Sequence, residues 1–155
     1  NTVFGRDYQD LLVEEYQVKD ADKVIVAMGS VCGTIKEVVD QQRAKGKKIG
    51  LLRIITYRPF PYARVYAALK DVPRVAVLDK AVSLGAYAPI AVDMKAAFYG
   101  KKKGPKVISS FVAGLGGRDI TLESIHEVFR RLTAKEVNSD FIDLKPELLK
   151  EEYEE

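Results

Sequence analysis

Short unbroken apolar runs recur along this chain, and the stretches between them carry apolar residues at helical spacing instead. The first run, Val24-Ile25-Val26-Ala27 within Lys23 to Met28, reads as a strand buried on both faces, and Gly29-Ser30 breaks it. In the next segment Ile35, Val38 and Val39 share one helical face. Thr34 is the expected N-cap there, Glu37 suits the positive end of the helix dipole, and Lys45-Gly46 supplies a cationic last turn and a stop. Ile49 to Ile55 is the second strand, ended by Tyr57-Arg58-Pro59-Phe60-Pro61 because proline lacks an N–H donor and fixes φ. A shorter helix with Val65, Leu69 and Val72 on its apolar face closes at Pro73, and Val75 to Leu78 forms a third strand. After Asp79-Lys80, Ile90, Met94, Ala97 and Phe98 mark another helix that Gly100 ends. Val107 to Ala113 is the fourth strand, and Leu122, Ile125, Phe129 and Leu132 stripe a final helix capped by Thr121.

This alternation predicts an α/β domain of three layers, a parallel-rich sheet with helices on both faces, joined by right-handed crossovers. The expected division is one α/β domain over residues 1–133, with a lead-in over 1–22, and an acidic tail over 134–155. Tyr8 to Tyr16 is either a helix or an edge element. Phe141, Ile142 and Leu144, with Pro146, are expected to pack on the domain or on a neighbour. The chain does not begin with Met, which predicts a processed chain or part of a longer polypeptide.

Composition narrows the function classes. Hydrophobic residues make up 47% and charged ones 30%, within the ordinary globular range. No apolar run approaches the roughly 20 residues that span a bilayer, and the start carries no apolar signal segment, so a cytoplasmic protein is expected. A net charge of +3 is too balanced to require a nucleic-acid or membrane partner. Lys101-Lys102-Lys103 and the terminal Glu151, Glu152, Glu154 and Glu155 read as solvated charge. The single Cys32 cannot form an internal disulfide.

In open α/β sheets the loops at the carboxyl ends of the strands carry function, which directs attention to four loops. In the first, Gly29, Ser30, Gly33 and Thr34 either cradle an anion at a helix N-terminus or form a capped tight turn. It has neither the lysine of a phosphate-binding P-loop nor the dinucleotide glycine fingerprint. Cys32 is either a redox thiol favoured by that terminus or a small buried side chain. In the second loop Arg58 and Phe60 are candidate contacts, Arg58 either bracing the loop or reaching outward. In the third, Asp79 is a candidate helix cap or a partner for Lys80. In the fourth, Gly116 and Gly117 let the backbone approach another surface, while Arg118 either pairs with Asp119 or reaches outward. His126 is expected on the surface. No second ligand or base stands at metal or triad spacing from it, and no catalytic residue is assigned.

These same loops resemble the C-terminal, transketolase-like domain of the α chain, or equivalent domain, of pyruvate:ferredoxin oxidoreductases. The resemblance covers Val18 to Leu132. It rests on Lys19-Asp20-Ala21-Asp22 leading into Val24 to Ser30 and Gly33-Thr34, on Tyr57 to Pro61, on Val77-Leu78-Asp79-Lys80, and on Gly114-x-Gly116-Gly117-Arg118-Asp119-Ile120-Thr121. Lys80 stands where the family commonly has Arg, and lysine cannot reproduce a bidentate guanidinium contact. The resemblance implies a mixed, mostly parallel five-stranded sheet. It also implies an enzyme that decarboxylates a 2-oxoacid with thiamine diphosphate, forms acyl-coenzyme A and passes electrons through iron–sulfur clusters to ferredoxin. The Arg-Pro-Phe-Pro stretch leans towards pyruvate or branched-chain substrates. In such enzymes the thiamine site lies between two other domains and the clusters need cysteines. This chain is therefore expected to bind no cofactor alone, to be inactive in isolation, and to dock through its loops on neighbouring domains or subunits. The alternative is an anion- or coenzyme A-phosphate-binding module built on the Gly29 to Thr34 loop with Arg58 or Arg118.

Overall fold

Each of the four apolar runs becomes a strand of one sheet in the computed structural model, which describes residues 11–144. The elements in chain order are β1 (Val13–Tyr16), β2 (Lys23–Met28), α1 (Val31–Arg43), β3 (Ile49–Ile54), α2 (Tyr62–Leu69), β4 (Arg74–Asp79), α3 (Pro89–Phe98), β5 (Val107–Val112), α4 (Leu122–Arg131) and β6 (Asp140–Phe141). The sheet order is β1-β3-β2-β4-β5-β6. All pairs are parallel except β1 with β3. The sheet is thus mixed and mostly parallel, with one strand more than the five expected, the addition being the two-residue β6. Tyr8 and Pro146 lie outside the described residues, as do the terminal glutamates.

Side chains alternate across the sheet and create two cores. On one face Val24, Val26, Leu52, Ile54, Val75 and Val77 meet α2 and α3 through Val65, Leu69, Ile90 and Met94. On the other, Ile25, Ala27, Leu51, Ala76, Leu78 and Phe111 meet α1 and α4 through Ile35, Val38, Ile125 and Val128. Strands covered on both faces favour near-continuous apolar runs, as β2 and β4 show; β5 interrupts its run with the fully buried Ser109 and Ser110. The β2–α1–β3 and β5–α4–β6 units place their helices on the same face while the chain crosses the sheet in opposite directions, so the two crossovers have opposite hands. The uniform right-handed winding expected from the sequence therefore fails at the last unit, where the returning strand is only two residues long.

Helix α1 begins at Val31, four residues earlier than a Thr34 cap requires. Gly29, at φ +83°, turns the chain directly from β2 into the helix, so Thr34 already lies inside it and Ser30 is the N-cap, without a side-chain capping bond. Glu37 consequently sits past the first turn, where it accepts a 2.9 Å bond from Gln41. Thr121 caps α4 as expected, in a reciprocal box with Ser124.

Edge strand β1 is held by Lys36 and Arg53 on Glu14 and by Tyr16 on Asp40. Its close approach to β3 requires glycine at position 50: a methyl there would sit 2.5 Å from the Gln17 carbonyl oxygen and 2.9 Å from that of Tyr16. Gly50→Ala should cost about 1–3 kcal/mol by forcing backbone to move. Urea denaturation would measure the cost, and hydrogen exchange should show β1 opening first; an unchanged midpoint would mean that the Gln17 turn yields freely.

Candidate functional site

Because β2, β3, β4 and β5 run parallel, the four loops that follow them leave the same edge of the sheet. Three of them, with Ile120 beyond the fourth, line a cleft of about 230 Å³ that includes Met28, Tyr57, Lys80, Ala81, Pro89 and Ile120. Its walls are largely apolar side chains and aliphatic stems, and Asp79 closes it on the β4 side.

Arg58 is fixed by its own chain. The guanidinium lies 3.9 Å from the centre of the Tyr57 ring, donates to the Tyr57 carbonyl and hydroxyl at 3.1 Å each, and pairs with Asp93 at 2.8 Å. Tyr62 donates to the other oxygen of Asp93 at 3.2 Å. The Arg58-Pro59 peptide is cis. Phe60 is buried, edge-on to Tyr57 and Tyr62, and its role is to pack the loop onto the α2–α3 core rather than to meet a neighbour. The second loop is therefore a braced aromatic unit with its charge engaged inside it.

Asp79 does not pair with Lys80. It is 3% exposed and accepts the backbone N–H groups of Ile90 and Ala91 at 3.2 and 3.3 Å, capping α3 from the neighbouring strand. Ala88 and Pro89 at the start of α3 offer no capping side chain, so β4 supplies it. Burial pushes the Asp79 carboxyl up to about 6, against the opposing pull of the two N–H donors. Lys80 is exposed at its tip, with its aliphatic stem against Gly114. Beyond it Val82, Leu84 and Tyr87 face solvent, Leu84 completely.

At the first loop Gly29, Ser30 and Gly33 are exposed and Thr34 is half-buried. Cys32 is buried against the α1–α4 core, where loss of water pushes its thiol up to about 11, so it is a neutral core side chain at physiological pH. In the fourth loop Gly114, Gly116 and Gly117 all take positive φ and produce a tight turn over Leu115–Gly117. Arg118 donates to the Asp143 carbonyl at 2.5 Å rather than pairing with Asp119, which remains exposed. The Asp143 carboxylate in turn accepts from Ser124 at 2.6 Å, tying the chain after β6 to the start of α4.

The structure thus brings Gly29, Ser30, Arg58, Lys80, Gly116, Gly117, Arg118 and Asp119 onto the loops of one edge, with Asp79 lining the cleft among them, while Phe60 faces inward and Gly33 and Thr34 belong to α1. His126 departs from expectation: it is half-buried between α4 and α1, with Nδ1 3.3 Å from the Gln42 amide. Sequence reading missed Asp93 and Asp143, the partners of the two arginines. Both lie 25 or more residues from their arginine, beyond any local spacing signal.

Among proteins of known kind, the chain matches the family described as pyruvate:ferredoxin oxidoreductase core domain II over residues 21–125. It belongs to that family. It is 41% identical over 145 residues to pyruvate synthase subunit PorA of Methanothermobacter thermautotrophicus, covering 94% of this chain and 36% of that protein. It is 46% identical over 126 residues to PorA of Thermotoga maritima, covering 81% and 31%. A pyruvate-flavodoxin oxidoreductase of Klebsiella pneumoniae is 44% identical over 130 residues, covering 83% of this chain and 11% of that one. The chain therefore spans about a third of the length of the PorA relatives. In structure it resembles a 2-oxoglutarate:ferredoxin oxidoreductase from Magnetococcus marinus, solved with 2-oxoglutarate, coenzyme A and succinyl-CoA bound. That likeness has a TM-score of 0.55 at 20% identity and covers 84% of this chain and 20% of that one. It concerns the fold alone.

Proposed function

We propose that this core domain II is a non-catalytic, structural part of a pyruvate-type 2-oxoacid:ferredoxin oxidoreductase, and that its carboxyl-end loops dock against the domains that hold thiamine diphosphate. The supporting observation is the division of labour at that edge: Arg58, Asp79 and Arg118 are engaged within the chain, whereas apolar Met28, Ile55, Tyr62, Leu84 and Leu115 are presented to solvent. Clusters of exposed apolar side chains mark contact surfaces. The whole enzyme oxidatively decarboxylates pyruvate or a related 2-oxoacid to an acyl-coenzyme A, sending the electrons to ferredoxin. The residues here do not fit an iron–sulfur cluster, which takes several cysteine thiolates, because the chain has one cysteine and burial keeps it protonated. The clusters, thiamine diphosphate and coenzyme A belong to other parts of a cytoplasmic assembly. No helix among the described residues is long and apolar enough to cross a membrane.

This role predicts that the 155-residue chain alone neither turns over pyruvate nor gives a saturable heat with thiamine diphosphate in calorimetric titration. Micromolar binding of thiamine diphosphate by this chain would overturn the assignment.

A further inference from the structure

A second cavity lies at the opposite edge of the sheet. It has a volume of about 420 Å³ and is bounded by the amino ends of β2, β3 and β4 and by α1 and α4. Lys23, Lys47, Lys48 and Arg74 surround it, with Asp22 as the single carboxylate among its lining residues and His126 on the helical side. Their convergence is imposed by register. Lys23 pairs with Arg74 across β2 and β4, and with Ile49, directly after Lys48, across β2 and β3.

Like charges on neighbouring strands repel one another. Loss of water and the nearby Arg74 and Lys47 charges lower the Lys23 pKa. Among the described residues, no hydrogen bond or ion pair engages the side chains of Lys47, Lys48 or Arg74. Lys23 gives one of its donors to the Phe129 carbonyl at 2.8 Å and keeps two. Arg130, also on the rim of the cavity, is already held by Glu127 and Glu123 and adds no free charge. Lys23, Lys47, Lys48 and Arg74 thus enclose a concave space whose lining holds one carboxylate, Asp22, while Asp20 acts on Lys48 from outside the lining, so cations remain in excess.

We infer that this amino-end pocket binds a small, multiply charged phosphate anion. A guanidinium and three ammonium groups arriving from separate strands and turns suit a tetrahedral anion with several equivalent oxygens. A monocarboxylate offers two oxygens and one charge, and would leave most of the repulsion standing. The volume admits a diphosphate but not an extended acidic protein segment, so the occupant is a small molecule.

The test is calorimetric titration of inorganic pyrophosphate into the assembled enzyme at low salt, with two double variants of equal charge change. Lys47→Glu with Arg74→Glu removes the pocket charge; Lys101→Glu with Lys102→Glu alters the other basic run. Wild type should bind saturably. The pocket variant should bind at least about tenfold more weakly, as expected for loss of two charge-assisted contacts, and the control should stay within about twofold. If the charge reversal prevents folding, Lys47→Gln with Arg74→Gln should give the same order of loss. Equal weakening by both variants would reduce the effect to diffuse surface charge and overturn the inference. So would no saturable binding to the wild-type enzyme up to about 10 mM, including the case in which an acidic surface of another subunit already covers the pocket.

Discussion

Met28→Asp combined with Leu84→Asp, introduced into the full-length subunit, is expected to lower pyruvate-dependent ferredoxin reduction by at least about a hundredfold while the domain itself stays folded. Each side chain stands at the carboxyl-end rim, Met28 at the mouth of the cleft and Leu84 wholly in solvent. Neither supports a core of this chain, so its melting temperature should barely change. If the rim is covered in the assembled enzyme, each position loses roughly 1.5–3 kcal/mol of apolar burial and gains a carboxylate that must be desolvated without a partner. The sum exceeds about 3 kcal/mol, which corresponds to more than a hundredfold in a docking equilibrium. Size-exclusion chromatography should show dissociation or loosened packing in parallel with the lost activity. An intact assembly at full turnover would place the docking surface elsewhere.

The second large effect concerns Asp79. Its carboxyl is raised from 3.8 to about 6 because burial disfavours the charged form more than two backbone donors favour it. The sign follows from proton linkage. The folded chain holds this proton more tightly than the unfolded chain, so the group contributes stability that is fully present below about pH 4 and lost as pH rises through about 6. A shift of about two units corresponds to ~3 kcal/mol. Asp79→Asn keeps the shape and one acceptor for the start of α3 but cannot titrate. The stability of wild type relative to Asp79→Asn should therefore fall by up to ~3 kcal/mol between about pH 4 and pH 7, as read by urea denaturation at several pH values. A difference that stays constant over that range would mean that Asp79 ionises as freely in the folded chain as in the unfolded one.

What was legible in the sequence tracks how local its cause is. Strands β2 and β4 are legible because burial on both faces leaves no polar position to interrupt Val24 to Ala27 or Val75 to Leu78, and β3 and β5 because β-branched and apolar residues still dominate around Arg53 and the buried Ser109 and Ser110. The carboxyl-end edge is legible because parallel strands force their loops to the same side. Short elements are not: β1 and β6 span four and two residues, too few for a period to show. The start of α1 is not legible because Thr34 is a good cap by type, whereas the turn is made by Gly29 in a left-handed conformation. Arg58 and Arg118 stood out, but whether they face inward or outward depends on Asp93 and Asp143, which only the fold brings near. The amino-end cations do carry a sequence signal, since Lys23, Lys48, Arg74 and Lys106 each stand at or just before the first residue of a parallel strand.

The two outermost strands of the described sheet limit how it can be extended. β1 carries Glu14 and Glu15 along its short length, and β6 offers only two residues, so neither presents a long, uncharged row of backbone groups for another chain to extend. Growth of the sheet sideways is thereby discouraged, and with it fibre-like stacking of copies. The docking proposed above instead comes along the strand axis, onto the loops at the carboxyl ends of the parallel strands, where the sheet's hydrogen-bonding edges play no part.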